Sequence, residues 1–502
     1  MRIPTHPRIL LLDYPVAPQF RYDMRIAEIA RVKKAAQALL DENNGITKTR
    51  RKIRSSFTTG LLTMGGLLEQ HGYDVVYGSA LQGLSERLLQ QIDWADVILL
   101  TAMTPIYPFV RQVARQIKAR APQKILVIGG YHVSALPEEV LREEQAFDAV
   151  VIGEGERPIL ELLQQPVLQA GLPGTVIRHK NIPIFGPPSP LLPGPEIPSP
   201  NYNLLPGNRS AYRYNIQTVR GCPKRCGYCV NGFFWQTVRR RPTESLIEEL
   251  RDIEATLGPK AEIHITDNIL TVSTRWLRDL VEAYEQSGLS LQFTADVKAE
   301  YIDEERVKLM KRLQVKKVYM GFEDADDTVR QSIHRQGTLV ENIDAIECIK
   351  RHSDIIVEGY WMLGLPGTNP AVMRQNISTA VELLRSGLLQ TVCSDVIFVP
   401  LPGSPLFHEA DKYGIKLLHR NWEDYHRSQY LPVYELETVT RTQLREYFIA
   451  FEESITKVYL EKLGLDAHTA LDRYEQLVSG LESEIEEEVL LRTDGGLRWG
   501  NG

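Results

Sequence analysis

Short apolar runs alternate with helical stretches through most of this chain, and that alternation narrows the fold more than any other feature. Ile9-Leu10-Leu11-Leu12-Asp13, Tyr73-Asp74-Val75-Val76-Tyr77, Val97-Ile98-Leu99-Leu100-Thr101, Ile125-Leu126-Val127-Ile128 and Ala149-Val150-Val151-Ile152 read as strands. Stretches at 24–42, 58–68 and 107–120 read as helices. Strands that are apolar on both faces belong to a parallel sheet with helices on each side. Ligands of such sheets bind beyond the carboxyl ends of the strands.

The alternation is interrupted once. Residues 172–213 are dense in Pro and Gly (Gly186-Pro187-Pro188-Ser189-Pro190, then Leu192-Pro193-Gly194-Pro195) and read as a linker. A second series of six strand candidates then runs from Tyr214–Val219 to Val392–Val399, between residues 214 and 415. Six strand–helix units suggest a partial β/α barrel. The expected domains are 1–171, a doubly wound Rossmann-like sheet; 172–213, the linker; 214–415, the partial barrel; and 416–502, a helical and charged C-terminal region that covers the barrel mouth. At roughly 100–200 residues per domain, a chain of 502 residues suits this division. Residues 16–57 exceed an ordinary strand-to-helix connection. The basic run Lys48 to Arg54 and the acidic run Glu482 to Glu488 read as solvated faces.

Composition excludes several classes. With 58 Lys+Arg against 64 Asp+Glu the net charge is −6, which argues against a nucleic-acid binder that relies on overall positive charge. A hydrophobic share of 43% excludes a disordered chain. No run of about 18 apolar residues suggests a membrane span, and Met1 to His6 lacks a signal-peptide core. Five cysteines make no disulfide framework and suit a reducing cytoplasm.

Three of the five cysteines fall together in Arg220-Gly221-Cys222-Pro223-Lys224-Arg225-Cys226-Gly227-Tyr228-Cys229. Thiolates are soft ligands for zinc or iron–sulfur clusters. A structural zinc site wants four ligands, usually in two separated pairs. Here the spacing is Cys-x3-Cys-x2-Cys after a strand, which leaves one corner of a [4Fe–4S] cluster open for a small molecule. A zinc site completed by Cys348, Cys393 or a histidine is the alternative. Otherwise Cys348 and Cys393 read as buried packing thiols.

This segment resembles the signature of the radical S-adenosylmethionine (SAM) superfamily, with Tyr228 as the aromatic residue before the last cysteine. Other stretches resemble the same barrel: Arg239-Arg240-Arg241-Pro242, Ile265-Thr266-Asp267-Asn268, Met320-Gly321-Phe322-Glu323-Asp324, Leu363-Gly364-Leu365-Pro366-Gly367 and Pro400-Leu401-Pro402-Gly403-Ser404. The resemblance implies that Cys222, Cys226 and Cys229 hold the cluster. It implies that Tyr228, Asp267, Lys298 and Glu323 lie near SAM. For Asp267 and Glu323 a helix cap or surface carboxylate is the competing role, and Arg239–Arg241 could be a solvated face.

In the first domain, Gly129-Gly130-Tyr131-His132-Val133-Ser134 and Gly153-Glu154-Gly155-Glu156 each follow a strand. Glycines there let a flat or bulky ligand approach the backbone. Neither segment is the dinucleotide fingerprint Gly-x-Gly-x-x-Gly. Placed before a radical SAM barrel, they resemble the cobalamin-binding domain of cobalamin-dependent radical SAM enzymes. The implied corrin contacts are Met103, Thr104, Gly129, Gly130, His132, Val133, Gly153, Glu154 and Gly155. The loop Asp13-Tyr14-Pro15-Val16-Ala17 lacks the axial-histidine motif of many cobalamin carriers. His132 reads equally as a polar contact or a hydrogen-bonded core residue.

The activity implied is that of a cobalamin-dependent radical SAM methyltransferase, acting on an unactivated carbon or phosphorus centre of a small molecule, peptide or natural-product precursor. One SAM would supply the methyl group and another a 5′-deoxyadenosyl radical. A flavodoxin- or ferredoxin-like one-electron reductant is implied as partner. Alternatives are a cobalamin-linked cyclase or rearrangement enzyme without methyl transfer, tRNA methylthiolation, and a non-catalytic cobalamin-binding protein. The sequence names no catalytic acid or base. The acidic tail and the lack of cysteines before Cys222 weigh against methylthiolation, and the intact cysteine triad against the non-catalytic reading.

Overall fold

A computed structural model describes residues 1–14, 24–43, 56–80, 83–180, 182–235, 237–393, 397–426 and 431–482. The run Lys48 to Arg54 and most of the acidic run after Glu482 lie outside the described residues.

The five apolar runs of the first half become β1 (Ile9–Asp13), β2 (Val75–Ser79), β3 (Val97–Thr101), β4 (Ile125–Gly129) and β5 (Ala149–Val151). They pair in parallel in the order β2-β1-β3-β4-β5. Leu10, Ile98, Leu126 and Val150 have no exposed surface. Helices cover both faces, so each strand needs apolar residues on both sides. The chain order reverses between β1 and β3, and the loops after β3, β4 and β5 open at the same edge.

The sheet continues into the stretch expected as linker. β6 (Thr175–His179) and β7 (Ile182–Phe185) form an antiparallel hairpin beside β5. Val176 and Ile177, 0% and 2% exposed, cover the sheet edge and account for the extension. Irregular chain follows to residue 214.

The second sheet is the expected partial barrel. β8 (Asn215–Ile216) leads to β9 (Val219–Arg220) and β10 (Arg239–Arg240), an antiparallel ribbon that closes the cysteine segment at its base. β11 (Glu262–Ile265), β12 (Gln292–Val297), β13 (Val315–Glu323), β14 (Ile356–Trp361) and β15 (Thr391–Cys393) complete it. All pairs are parallel, in the order β15-β14-β13-β12-β11-β8. Ile263, Val318 and Val357 are fully buried against the outer helices. The alternating positions carry His264, Asp296, Tyr319 and Tyr360, each partly exposed. The lumen is therefore polar and not a filled core.

The C-terminal region divides. Trp422 returns to the first domain, whereas helix Arg441–Leu463 packs on helix Met24–Asn43 and on helix Pro370–Arg385. Lys33, buried on helix Met24–Asn43, pairs with Glu452 at 2.8 Å. The described part of the 16–57 insertion thus braces the C-terminal helices. Among the described residues no helix is long and apolar enough to cross a membrane.

Candidate functional site

The cysteine loop is fixed at several points. Cys222 N–H donates to the Trp235 carbonyl at 3.0 Å, across the base of the loop. Gly227 N–H donates to Ile333 at 2.8 Å, and the Gly227 carbonyl accepts from Leu406 N–H at 3.0 Å. Cys222 and Cys226 are buried and Cys229 half-buried. The three thiols lie close enough to act on one another electrostatically. Burial pushes the Cys222 thiol above its ordinary value and Cys229 to about 11. Lys298 Nζ lies 3.6 Å from Cys226 Sγ.

This donor set fits a cluster. Among the described residues no three His, Cys, Asp or Glu side chains converge on one metal ion. A closed zinc site requires such convergence, whereas the cysteines of a [4Fe–4S] cube each bind a different iron. Cys348 lies on the outer helix Leu339–His352 and Cys393 ends β15 beside Tyr360, both half-buried rather than buried.

Glu323 meets this loop directly. The β13–β14 register shifts between Gly321 and Glu323, and Glu323 has φ 63°. A bulge of this kind re-aims a side chain. The Glu323 carboxylate accepts from Tyr228 Oη at 2.8 Å and faces Arg335 Nε at 3.4 Å. Arg335 also reaches Glu300 at 3.1 Å and the Gly321 carbonyl at 3.0 Å. Lys224 joins the group 3.5 Å from Glu300. Tyr228, Glu323 and Lys298 therefore gather at the cysteines.

Asp267 does different work. It is 1% exposed, and Oδ1 accepts the N–H groups of Thr218 and Val219 at 2.7 and 2.9 Å. The Thr218 hydroxyl donates to Oδ2. Burial pushes its carboxyl up to about 6 although these bonds pull the other way. The carboxylate is spent on the strand entering the cysteine loop.

The predicted corrin contacts divide by depth. Met103, just beyond the carboxyl end of β3, is an exposed apolar side chain, 57% accessible. Gly129 ends β4, with nothing nearer than 4.0 Å to a Cβ built there. Gly153 has φ +74° and open space where its Cβ would stand. Gly130, at φ +99°, is required for a close approach: its Cβ would lie 2.7 Å from the Ala102 carbonyl oxygen. An open seat above the carboxyl edge of a parallel sheet fits a broad, flat corrin.

The other contacts lie deeper. Val133 is fully buried, and Gly155 precedes the helix Glu156–Leu163. Thr104 is buried and bonds His132 Nδ1 at 3.3 Å. His132 is 1% exposed, with ring centroids 4.3 Å from Tyr107 and 5.0 Å from Trp422. It is a core histidine that joins the first domain to the C-terminal region. The Glu154 carboxylate turns from the seat to Arg239, at 2.7 Å, and Arg220, at 3.3 Å. Arg239 and Arg241 are buried and ion-paired, Arg241 to Glu249 at 2.6 Å, so neither lies on a solvated face.

Local sequence patterns give no hint of the residues that join the two domains. Arg220, two residues before Cys222, pairs with Glu156 at 2.7 Å. Tyr131 Oη donates to Asn231 Oδ1 at 2.8 Å, just beyond Cys229. The two glycine loops of the first sheet thus hold the two ends of the cysteine loop.

These two sites, a seat on a parallel sheet and a thiol triad at the mouth of a partial barrel, define a two-cofactor enzyme. A B12 binding domain model matches residues 56–163 and a Radical SAM superfamily model residues 216–377. The chain belongs to the cobalamin-dependent radical SAM enzymes. It is 28% identical over 402 residues to an uncharacterized methyltransferase of Pyrococcus horikoshii, covering 76% of this chain and 84% of that one. It is 24% identical over 310 residues to an anaerobic magnesium-protoporphyrin IX monomethyl ester cyclase of Synechocystis, covering 59% and 62%. The fold is that of the cobalamin-dependent SAM radical enzyme OxsB, with TM-score 0.68 and 13% identity over 97% of this chain and 74% of that one.

Proposed function

We propose that this enzyme transfers a methyl group to an unactivated carbon or phosphorus centre of a small molecule or natural-product precursor. The observation that carries the reading is the direct contact between the corrin seat and the cysteine loop, through Tyr131–Asn231 and Glu156–Arg220. Two cofactors must act on one substrate, and a cavity between domains is where such a substrate binds. When bound, the cluster with SAM supplies one-electron cleavage chemistry and the corrin supplies the methyl group.

The residues of this chain bind, orient and shield. Cys222, Cys226 and Cys229 hold the cluster, and Lys298 places positive charge beside Cys226. Tyr228 and Glu323, fixed by Arg335, form the wall on which SAM rests. Met103, Gly129 and Gly153 form the corrin seat. Trp422, packed on His132, closes the first domain from the C-terminal side. A flavodoxin- or ferredoxin-like protein delivers electrons in the reducing cytoplasm, and no nucleic acid takes part.

The cyclase relative supports a second reading, ring formation or rearrangement without methyl transfer. One experiment separates them. Protein reconstituted anaerobically with iron, sulfide and hydroxocobalamin is assayed with SAM, reductant and candidate substrates. Methyl transfer releases S-adenosylhomocysteine in equal amount to product, whereas cyclisation releases none. Cys222→Ala, Cys226→Ala or Cys229→Ala each abolishes cluster absorption and turnover while corrin binding persists. Protein that takes up iron but no cobalt defeats both readings.

A further inference from the structure

A chain of side-chain hydrogen bonds runs from the corrin seat to both ends of the cysteine loop. Tyr131 follows Gly129 and Gly130, and its Oη donates to Asn231 Oδ1 at 2.8 Å. Asn231 Nδ2 donates to Asn268 Oδ1. Asn268 Nδ2 donates to the Gly221 carbonyl at 3.3 Å. The pairing fixes both amide orientations, because a flipped amide would oppose donor to donor or acceptor to acceptor. Gly221 precedes Cys222, and Asn231 lies two residues beyond Cys229.

Two further observations give the chain its effect. Asn231 opens the turn that closes the base of the cysteine loop: Trp235 N–H donates to the Asn231 carbonyl at 2.8 Å, and the Trp235 carbonyl accepts from Cys222 N–H at 3.0 Å. The Tyr131 ring lies edge-on to Phe234 and Trp235, 5.3 Å from each, so its hydroxyl is aimed by packing. Hydrogen bonds to the sulfurs of a cluster are among the determinants of its reduction potential. A shift of the glycine loop therefore reaches both ends of the loop that carries the three thiolates, through Asn231 and through Gly221.

We propose that Tyr131 is a positioning residue for the cluster, tying the corrin seat to Asn231 and Gly221 so that a ligand on the first sheet sets how the cysteine loop presents its thiolates. The inference rests on the cofactor assignment above. The parallel contact, Arg220 with Glu156, is a rigid ionic buttress at the other end of the loop. Tyr131 is the link that continues through side-chain amides to both ends of the loop.

The test reads the cluster itself. The midpoint potential and EPR g-values of the reconstituted protein are measured before and after loading with hydroxocobalamin. Wild type is expected to shift both on loading. Tyr131→Phe keeps the ring between Phe234 and Trp235 and removes only the hydroxyl. It is expected to bind iron and corrin in wild-type amounts and to lose most of the shift. A full shift in Tyr131→Phe, or no shift in wild type carrying both cofactors, overturns the proposal. Wild type that binds no corrin or no iron overturns the cofactor assignment instead. Should Tyr131→Phe fail to take up iron, Asn268→Ser cuts the same chain at its Gly221 end and is judged by the same shift.

Discussion

Arg239 grips Glu154 with both prongs of its guanidinium, Nη2 to Oε1 at 2.7 Å and Nη1 to Oε2 at 2.8 Å. Both side chains are more than nine-tenths buried. Burial pushes the Glu154 carboxyl up, but Arg239 and Arg220 outweigh it and hold the group below its ordinary value. The pair bolts the loop after β5 to the ribbon beneath the cysteines. Removing one partner of such a buried pair costs about 3–5 kcal/mol, because the other charge is left unpaired. Glu154→Gln is expected to lower stability to urea by about that amount. In a double-mutant cycle with Arg239→Met the coupling is expected to be about 2 kcal/mol. Coupling near zero would show that the Leu192 carbonyl, 2.9 Å from Arg239, suffices to hold the arginine.

Arg335 is the keystone on the barrel side. Its side chain has no exposed surface and serves Glu323, Glu300 and the Gly321 carbonyl at once. Three acceptors in different directions need a planar fork, which an ammonium group cannot reproduce. Arg335→Lys is therefore expected to destabilise the protein by roughly 3 kcal/mol, close to Arg335→Met. Both variants free Glu323 and Tyr228, so iron incorporation should fall with stability. Full iron uptake by Arg335→Lys would locate the support of the cysteine loop elsewhere.

The sequence made the chemistry legible where it is local and left it dark where it is not. The thiol triad reads directly, because its three ligands lie within eight residues. The five apolar strands read directly, because strands covered on both faces are built from near-continuous apolar runs. The hairpin at 175–185 was obscured by the prolines around it, although Val176 and Ile177 are as buried as any strand residue. Asp267, His132 and Glu154 sit at motif positions that suggest ligand contact. Their partners, Thr218, Trp422 and Arg239, are distant in sequence, and no local pattern reveals them. Tyr131 and Arg335 escaped for the same reason.

Two glycines of the seat are expected to respond differently to the same substitution. An alanine at Gly130 would be strained at φ +99° and would drive its Cβ to 2.7 Å from the Ala102 oxygen and the Thr101 hydroxyl. Gly130→Ala should cost about 2–4 kcal/mol in strain and overpacking. At Gly153 the left-handed φ carries a penalty of about 1 kcal/mol, and the new methyl meets no protein atom. Gly153→Ala should therefore fold nearly as wild type and bind hydroxocobalamin at least tenfold more weakly, the methyl standing in the ligand's space. Thermal unfolding and corrin titration read the two effects separately. Unchanged corrin affinity in Gly153→Ala would move the seat away from β5.

His132 gives the protein a specific acid sensitivity. Burial, and then the charge of Arg111, push its pKa down to about 3. The unfolded chain titrates near the ordinary value of about 6.5. Between these values the folded state binds fewer protons than the unfolded state. The contribution to stability is thus fully present above about pH 6.5 and is lost as pH falls toward 3, with a slope of up to about 1.4 kcal/mol per pH unit. His132→Phe keeps an aromatic ring between Tyr107 and Trp422 but loses the bond to Thr104. At pH 8 it should be less stable than wild type by about 1 kcal/mol. Its acid loss should be shallower, so the two stability curves cross below about pH 6. Urea unfolding across this range checks the crossing. Parallel curves would mean that the His132 ring titrates freely and faces solvent or ligand, against the packing that joins the first domain to the C-terminal region.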